Sequence, residues 1–435
     1  MRAKTRPSTS SAARTGSLRF VNGAGAEEVL TKDGVGAVLD WRRRNDGRLG
    51  ARGNGGRAIS SITYLDAKAE AEAFTSQIRG TRELAVDTEG ASFHRFVDRV
   101  YLLQLSTRTR HAILDPLAIT PPQQLAALVA DPDVETVFHD ADYDLRLLRQ
   151  DFGWRVARLF DTRVAAQLLG IRQFGLAALL ESYFGVKLDK KHQRADWSMR
   201  PLTNDMLEYA AQDTSHLLAL RDELRAQLEK KQRLSWAAEE FDRLRTVEWA
   251  PSDDSTAFLG VKGARDLTRR GLAVLRELYD WRNQTARAQD RATFRVLANE
   301  TMLEIAQAAP ADTAALRAIK GLPRSWTDAR FGEVLDAVKR GVAVPEADLP
   351  RFPRAPRWDR DPKFDERVNA LRSVREEVAR ELDLDPGVLA SRERLEAVAR
   401  RAPRSVAELA EVTELRRWQV EVLGARMVER LRSIG

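Results

Sequence analysis

From Ile59 onward the chain alternates two rhythms of apolar and polar residues. Short apolar runs bounded by polar turns predict strands, and longer stretches with apolar residues every three or four positions predict helices. "ITYLDAKAEAEAFTSQIRG" reads as strand then helix, and "ELAVDTEG" (83–90) as a strand ending at Asp87. "VYLLQLST" and "HAILDPL" form a pair joined by the polar turn Arg108–Arg110. A helix over Pro121–Ala130 leads to the strand "VETVFH" at 134–139, after which helices dominate. Strands in a meander followed by βα alternation predict an α/β domain, a mixed sheet covered by helices, over residues 58–250 with a trailing linker helix.

Beyond the break at Pro251–Ser255 the pattern is helical and repeats. "FRVLANETMLEIAQAAP" (294–310) matches "PGVLASRERLEAVARRAP" (386–403). Pro310, Leu316 and Leu322 recur as Pro403, Leu409 and Leu415, and Trp326 has its counterpart in Trp418. Two small all-α modules are expected, over 262–342 and 364–435, joined by a proline-rich stretch at 343–363. Trp281, Trp326 and Trp418 read as core of these modules. Residues 1–57, with twelve Lys/Arg against five Asp/Glu, read as a basic, disordered tail. Its first 26 residues lack acids, as in a mitochondrial transit peptide, but glycines break any amphipathic face, so a cytoplasmic protein is expected.

Composition narrows the chemistry. There is no cysteine, which excludes disulfides, thiolate metal sites and cysteine nucleophiles. With only five histidines, a metal site must rest on carboxylates, and these select hard cations such as Mg²⁺ or Mn²⁺. The net charge of +7 favours a polyanionic partner.

Asp87 and Glu89 carry that argument. Alternation along a strand puts both side chains on one face, about 7 Å apart along the backbone. There they repel, and each favours protonation of the other unless a cation intervenes. Further carboxylates stand at other element ends. Asp144 lies in the first turns of a helix after "VETVFH", and Asp213 follows Tyr209 by one turn of a helix capped by Thr203 or Asn204. Four carboxylates and a tyrosine suit two divalent ions clamping a phosphodiester, with the tyrosine orienting water. Asp115 and Asp161 read as braces or caps.

The pieces "DTEG", "HDADYDL" and "YAAQD" resemble the three motifs of the DEDD exonucleases in their tyrosine-bearing branch. "FDTRVAAQLLG" (160–170) and "RADWSMRPLTNDMLEYAAQDT" (194–214) are similar to ribonuclease D, and the repeated modules resemble HRDC domains. The resemblance implies a ribonuclease H-like fold and removal of 5′-mononucleotides from RNA 3′ ends, with transfer RNA and other structured precursors as substrates. It makes Asp87, Glu89, Asp144 and Asp213 the metal ligands and Tyr209 the residue that positions water. Thr88, Gly90 and Phe93 would approach the terminal nucleotide. His139, Lys190, Lys191 and Arg194 are further candidates for substrate contact. Arginines on both modules, among them Arg269, Arg270, Arg416 and Arg417, would face nucleic acid, with a monomer closing its modules over the catalytic face.

Two rival readings remain at this stage: the same chemistry on DNA, since the acids see phosphate and not the sugar, and a non-catalytic RNA-binding scaffold. A helicase is not expected, because the sequence has no G-x-x-x-x-G-K-[ST] phosphate loop.

Overall fold

The computed structural model describes residues 62–189, 191–249, 255–353 and 361–434, with the backbone of three short strands at Arg19–Val21, Glu27–Val29 and Arg48–Leu49. The rest of the expected tail over 1–57, and Lys190, lie outside the described residues.

Six strands build the main sheet: β1 (Ile62–Leu65), β2 (Glu83–Glu89), β3 (Leu102–Ser106), β4 (His111–Leu114), β5 (Glu135–Phe138) and β6 (Arg158–Asp161). Their spatial order is β1-β4-β3-β2-β5-β6, with Arg48–Leu49 added antiparallel at the β1 edge. The hairpin β3–β4 and the β2–β3 pair are antiparallel, and the other three pairs are parallel. The sheet is mixed, as expected. Two details differ from the sequence reading. β2 runs on through Glu89, so both acids stay in the paired strand, and β6 is a strand where only helix was expected.

Helices cover the sheet. They are α1 (Lys68–Ile78), α2 (Gln123–Val129), α3 (Asp142–Phe152), α4 (Thr162–Leu168), α5 (Leu176–Phe184), α6 (Asn204–Ser215), α7 (Leu217–Lys230) and α8 (Leu234–Leu244). β3 is apolar on both faces except for Gln104 and Ser106, because helices or other strands bury both sides.

The first helical module comprises α9 (Arg269–Gln289), α10 (Thr293–Val296), α11 (Asn299–Ala308), α12 (Thr313–Arg317) and α13 (Asp328–Ala343). The second repeats it as α14 (Phe364–Leu382), α15 (Pro386–Leu389), α16 (Arg392–Arg401), α17 (Val406–Ala410) and α18 (Arg417–Arg432). The duplication extends to backbone conformation. Asp290 and Asp383 end equivalent helices in the left-handed region at φ 43° and 49°, and Ala309 and Ala402 do so at 43° and 44°.

The modules attach to the catalytic domain differently. The first has a core of its own, built around Leu272, Leu278, Ile305 and Val334. The second shares one continuous core with the α/β domain. Trp418 stacks on Trp236 of α8 at 4.9 Å with planes 17° apart. Glu239 of α8 accepts from the backbone N–H groups of Arg417 (2.9 Å) and Trp418 (3.2 Å), so a carboxylate of one domain caps a helix of another. Glu240 takes Trp418 Nε1 at 3.0 Å and pairs with Arg416 at 3.3 Å. Trp418 is therefore interface as well as core, and Arg416 joins the docking through Glu240, while the Arg417 side chain stays exposed. In the first module Arg269 and Arg270 bond Glu346 and nearby carbonyls. Among the described residues, no helix is long and apolar enough to cross a membrane.

Candidate active site

Strand β2 and helix α6 bring three of the predicted acids together. Asp87, Glu89 and Asp213 each present a carboxylate oxygen, and these atoms lie within 4.8 Å of one another. Thr203 Oγ1 accepts from Met206 N at 3.3 Å and starts α6. At its far end, Thr214 bonds Ser106 Oγ of β3 at 2.7 Å, and Ser106 contacts His111 Nδ1 at 2.8 Å. That chain of side chains fixes α6 against the sheet beside Asp213.

Asp144, on the first turn of α3, stands beside this trio and is held by Thr88. The Thr88 backbone N–H (3.1 Å) and hydroxyl (2.5 Å) both donate to Asp144 Oδ1. Thr88 is buried and braces Asp144. Asp161 builds the turn before α3: it caps α4 and accepts from Asp140 N and Ala141 N, where Asp140 takes φ 69°. Asp115 is the second brace, accepting two bonds from Arg200 on the loop leading to α6 and one from Tyr64 of β1.

All four acids resist ionisation. Burial pushes Asp213 up to about 7, with Asp144 adding to the effect. Asp87, Glu89 and Asp144 are raised well above the usual carboxylate range, first by burial and then by one another's charge. No lysine or arginine is among the groups that shift them. A cluster of half-buried acids that no described lysine or arginine shifts fits divalent cations, and the oxygen-only donor set fits Mg²⁺ or Mn²⁺.

Tyr209 stands one turn before Asp213, its ring centroid 6.0 Å from Trp197 and 5.9 Å from His192. Burial, then the charges of Asp213 and Glu89, raise its phenol, which stays protonated at neutral pH. Trp197 is fully buried, a core residue that supports this tyrosine.

The remaining predicted contacts divide. Phe93 is half exposed and carries Arg194 5.5 Å from its ring. Gly90 is set by packing: a Cβ there would meet the Tyr143 hydroxyl at 2.3 Å, so the glycine admits Tyr143 of α3. His139 is largely buried, its pKa lowered to about 4 by burial and Arg163, and it contacts Thr162 Oγ1 at 2.9 Å. It is structural. Lys191 pairs with Asp205 at 3.2 Å, an exposed pair that leaves it near the start of α6.

One participant escaped the sequence reading. Gln104 is fully buried, is the cross-strand partner of Asp87, and reaches Glu89 Oε1 at 3.5 Å. Its only sequence signal is a lone amide inside the apolar run "VYLLQLST".

The first helical module borders this site. Ala292 N donates to His94 O at 3.2 Å, Arg295 Nε to Phe93 O at 2.5 Å, and Phe96 N to Asp290 at 3.3 Å. The second module meets the catalytic domain elsewhere, on α8 and at Gly170 and Arg172, so among the described residues it is the first module that reaches the loop after Glu89.

Comparison with known proteins agrees with this geometry. The 3′–5′ exonuclease family model matches residues 62–229, and the HRDC domain model matches 271–338 and 364–431. Ribonuclease D of Granulibacter bethesdensis is 31% identical over 84% of this chain and 91% of its own. That of Gluconacetobacter diazotrophicus is 34% identical over 73% of this chain and 80% of its own. The structure of Escherichia coli RNase D, described as an exoribonuclease involved in structured RNA processing, superposes with a TM-score of 0.65 at 25% identity, covering 86% of this chain and 99% of that one. Buried acids on β2, α3 and α6, an exonuclease domain and two HRDC domains have one common explanation: the chain belongs to the ribonuclease D family of 3′→5′ exoribonucleases.

Proposed function

We propose that the protein trims the 3′ ends of structured RNAs, transfer RNA precursors among them, as a cytoplasmic monomer that uses two divalent ions. The observation that carries the site assignment is the convergence of Asp87, Glu89 and Asp213 within 4.8 Å, with Asp144 beside them and no cationic side chain among the described residues shifting their charge. These four acids would hold the ions, which when bound would lower the pKa of the attacking water and carry the charge of the leaving 3′ oxygen.

The chain's own groups supply the rest. Thr88 orients Asp144 by two bonds to one oxygen, so the other oxygen points to a fixed place. Tyr209, kept protonated by its buried, acidic surroundings, offers a hydroxyl beside Asp213 to orient the attacking water. Gln104 fixes Glu89 from the neighbouring strand. Support for structured RNA as substrate comes from the activity described for the Escherichia coli relative.

The test is shortening of a 5′-labelled, 3′-extended transfer RNA and of a DNA of equal length, each with Mg²⁺, Mn²⁺ or EDTA. A metal-dependent RNA ladder, lost in Asp213→Ala and slowed by about 10²-fold in Tyr209→Phe, is expected. Undiminished turnover in Tyr209→Phe removes the water-positioning role. Faster shortening of the DNA overturns the substrate assignment.

A further inference from the structure

Two half-exposed phenylalanines from different domains meet beside the active site. Phe93 follows Glu89 by four residues, about 14 Å of chain at full extension. The turn in which Ala91 O accepts from His94 N and Arg95 N shortens that reach. Phe294 is on α10 of the first HRDC domain. The two rings touch edge to face, centroids 6.3 Å apart and planes at 77°, and each remains 49% exposed.

Each ring has an arginine close to it: Arg194 at 5.5 Å from Phe93 and Arg295 at 6.0 Å from Phe294. Both backbones are fixed in place. Arg295 Nε holds Phe93 O, Ala292 N holds His94 O, and His94 Nε2 contacts Arg194 O at 3.0 Å. Apolar residues that merely join two domains are covered by the joint. Phe96, three positions on, behaves that way: it packs into the first HRDC core under Arg287. Phe93 and Phe294 keep half their surface in water, at a free-energy cost that the domain contact does not require. Two bare rings with guanidinium groups beside them have the chemistry of a single-stranded nucleic-acid platform. Bases stack on aromatic faces whatever their identity, and the cations meet the backbone phosphates.

We propose that Phe93 and Phe294, with Arg194 and Arg295, form a stacking site shared by two domains for the bases just upstream of the scissile phosphate. The first HRDC domain thus completes the entrance of the active site. The occupant is single-stranded RNA, chosen over an apolar protein partner because both rings are flanked by positive charge. The proposal rests on the exoribonuclease reading and extends it to a named base-binding surface.

The test compares two substrates: an oligoadenylate, and the p-nitrophenyl ester of uridine 5′-monophosphate, which has no base upstream of its scissile bond. Phe294→Ala and Phe294→Leu are each expected to raise KM for the oligoadenylate about tenfold, in the range of base–aromatic stacking. The ratio of kcat/KM between the two substrates falls accordingly, and Phe294→Tyr restores it. Equal losses on both substrates would mark Phe294 as domain packing and overturn the proposal. So would a Phe294→Leu variant as good as the parent.

A binding measurement keeps the proposal apart from the catalytic reading. With EDTA present, an oligonucleotide carrying 2-aminopurine next to its 3′-terminal residue should be quenched by the parent protein and less so by Phe294→Leu. Equal quenching by both overturns the stacking site even if the RNA is cleaved normally. A parent that quenches but never cleaves would instead count against the catalytic assignment.

Discussion

Thr88 gives both its backbone N–H and its hydroxyl to a single oxygen of Asp144, joining the first strand motif to the first turn of α3 across 56 residues of sequence. The bond is buried, and hydrogen bonds to charged groups are the stronger kind. Thr88→Val removes the hydroxyl while nearly preserving shape and leaves the backbone donor in place. We expect kcat on RNA to fall about 10–100-fold, equivalent to roughly 1.5–3 kcal/mol, with KM little changed and an unaltered circular dichroism spectrum. A variant as active as the parent would show that Asp144 needs no such anchor.

The acid cluster links stability to pH and to metal. Asp213 has its carboxyl raised to about 7 in the fold, against an ordinary value of 3.8, and its three neighbours are raised well above theirs. The folded state therefore binds more protons than the unfolded state between those values. Stability from this source is present below the unfolded pKa and is lost as pH rises through about 7, on the order of 4 kcal/mol for Asp213. In EDTA, Tm should fall between pH 6 and pH 8. Added Mg²⁺ should raise Tm more at pH 8 than at pH 6, because a cation replaces protons most effectively where they have left. Asp213→Asn should flatten both trends, and thermal scans at the two pH values check this directly.

Gly90→Ala tests the packing between the first strand motif and α3. The added methyl would overlap the Tyr143 hydroxyl, which also bonds Asp98, and Tyr143 is the immediate neighbour of Asp144. Displacing Tyr143 should cost about 1–3 kcal/mol of stability and lower kcat by at least tenfold. Combining it with Tyr143→Phe, which removes the overlapping oxygen, should recover most of the stability. Urea unfolding of the single and double variants measures the recovery.

The shared core predicts an effect at long range. Trp418→Ala deletes a ring stacked on Trp236 and removes one of the two partners of Glu240, so it should cost about 3–5 kcal/mol and destabilise the catalytic domain with the second module. The equivalent position in the first module, Trp326, lies in a separate core, and Trp326→Ala should leave the catalytic transition in place. Differential scanning calorimetry of the two variants distinguishes these outcomes.

How much of this was legible in the sequence follows from what each residue depends on. β2, β3, β4 and β5 were readable because each is a run of apolar residues between polar turns. β6 was not: "RLFD" has four residues, and its run merges into the helix "TRVAAQL" that follows. The trio of acids was legible through strand alternation and helical spacing, which are local rules. The braces that Thr88 and Gln104 supply were missed because they depend on partners in other elements. The same holds for Arg416, whose ion pair with Glu240 crosses the joint between domains. Gly90 looked like a place for substrate backbone, yet the space beside it belongs to Tyr143.

The duplicated left-handed corner carries a last consequence. Asp290 meets the catalytic domain at Phe96, and its copy Asp383 packs against Gly170 and beside Arg172. The polypeptide therefore leaves the catalytic domain, passes through the first HRDC domain, and is sewn back to its starting body by the second. This closes a loop of chain with the first HRDC domain inside it. A domain anchored at both ends cannot diffuse away from the loop it touches, and its effective concentration there stays high after every opening. Exchange of RNA past Phe294 is then a hinge movement between two fixed points, with re-closure built into the connectivity.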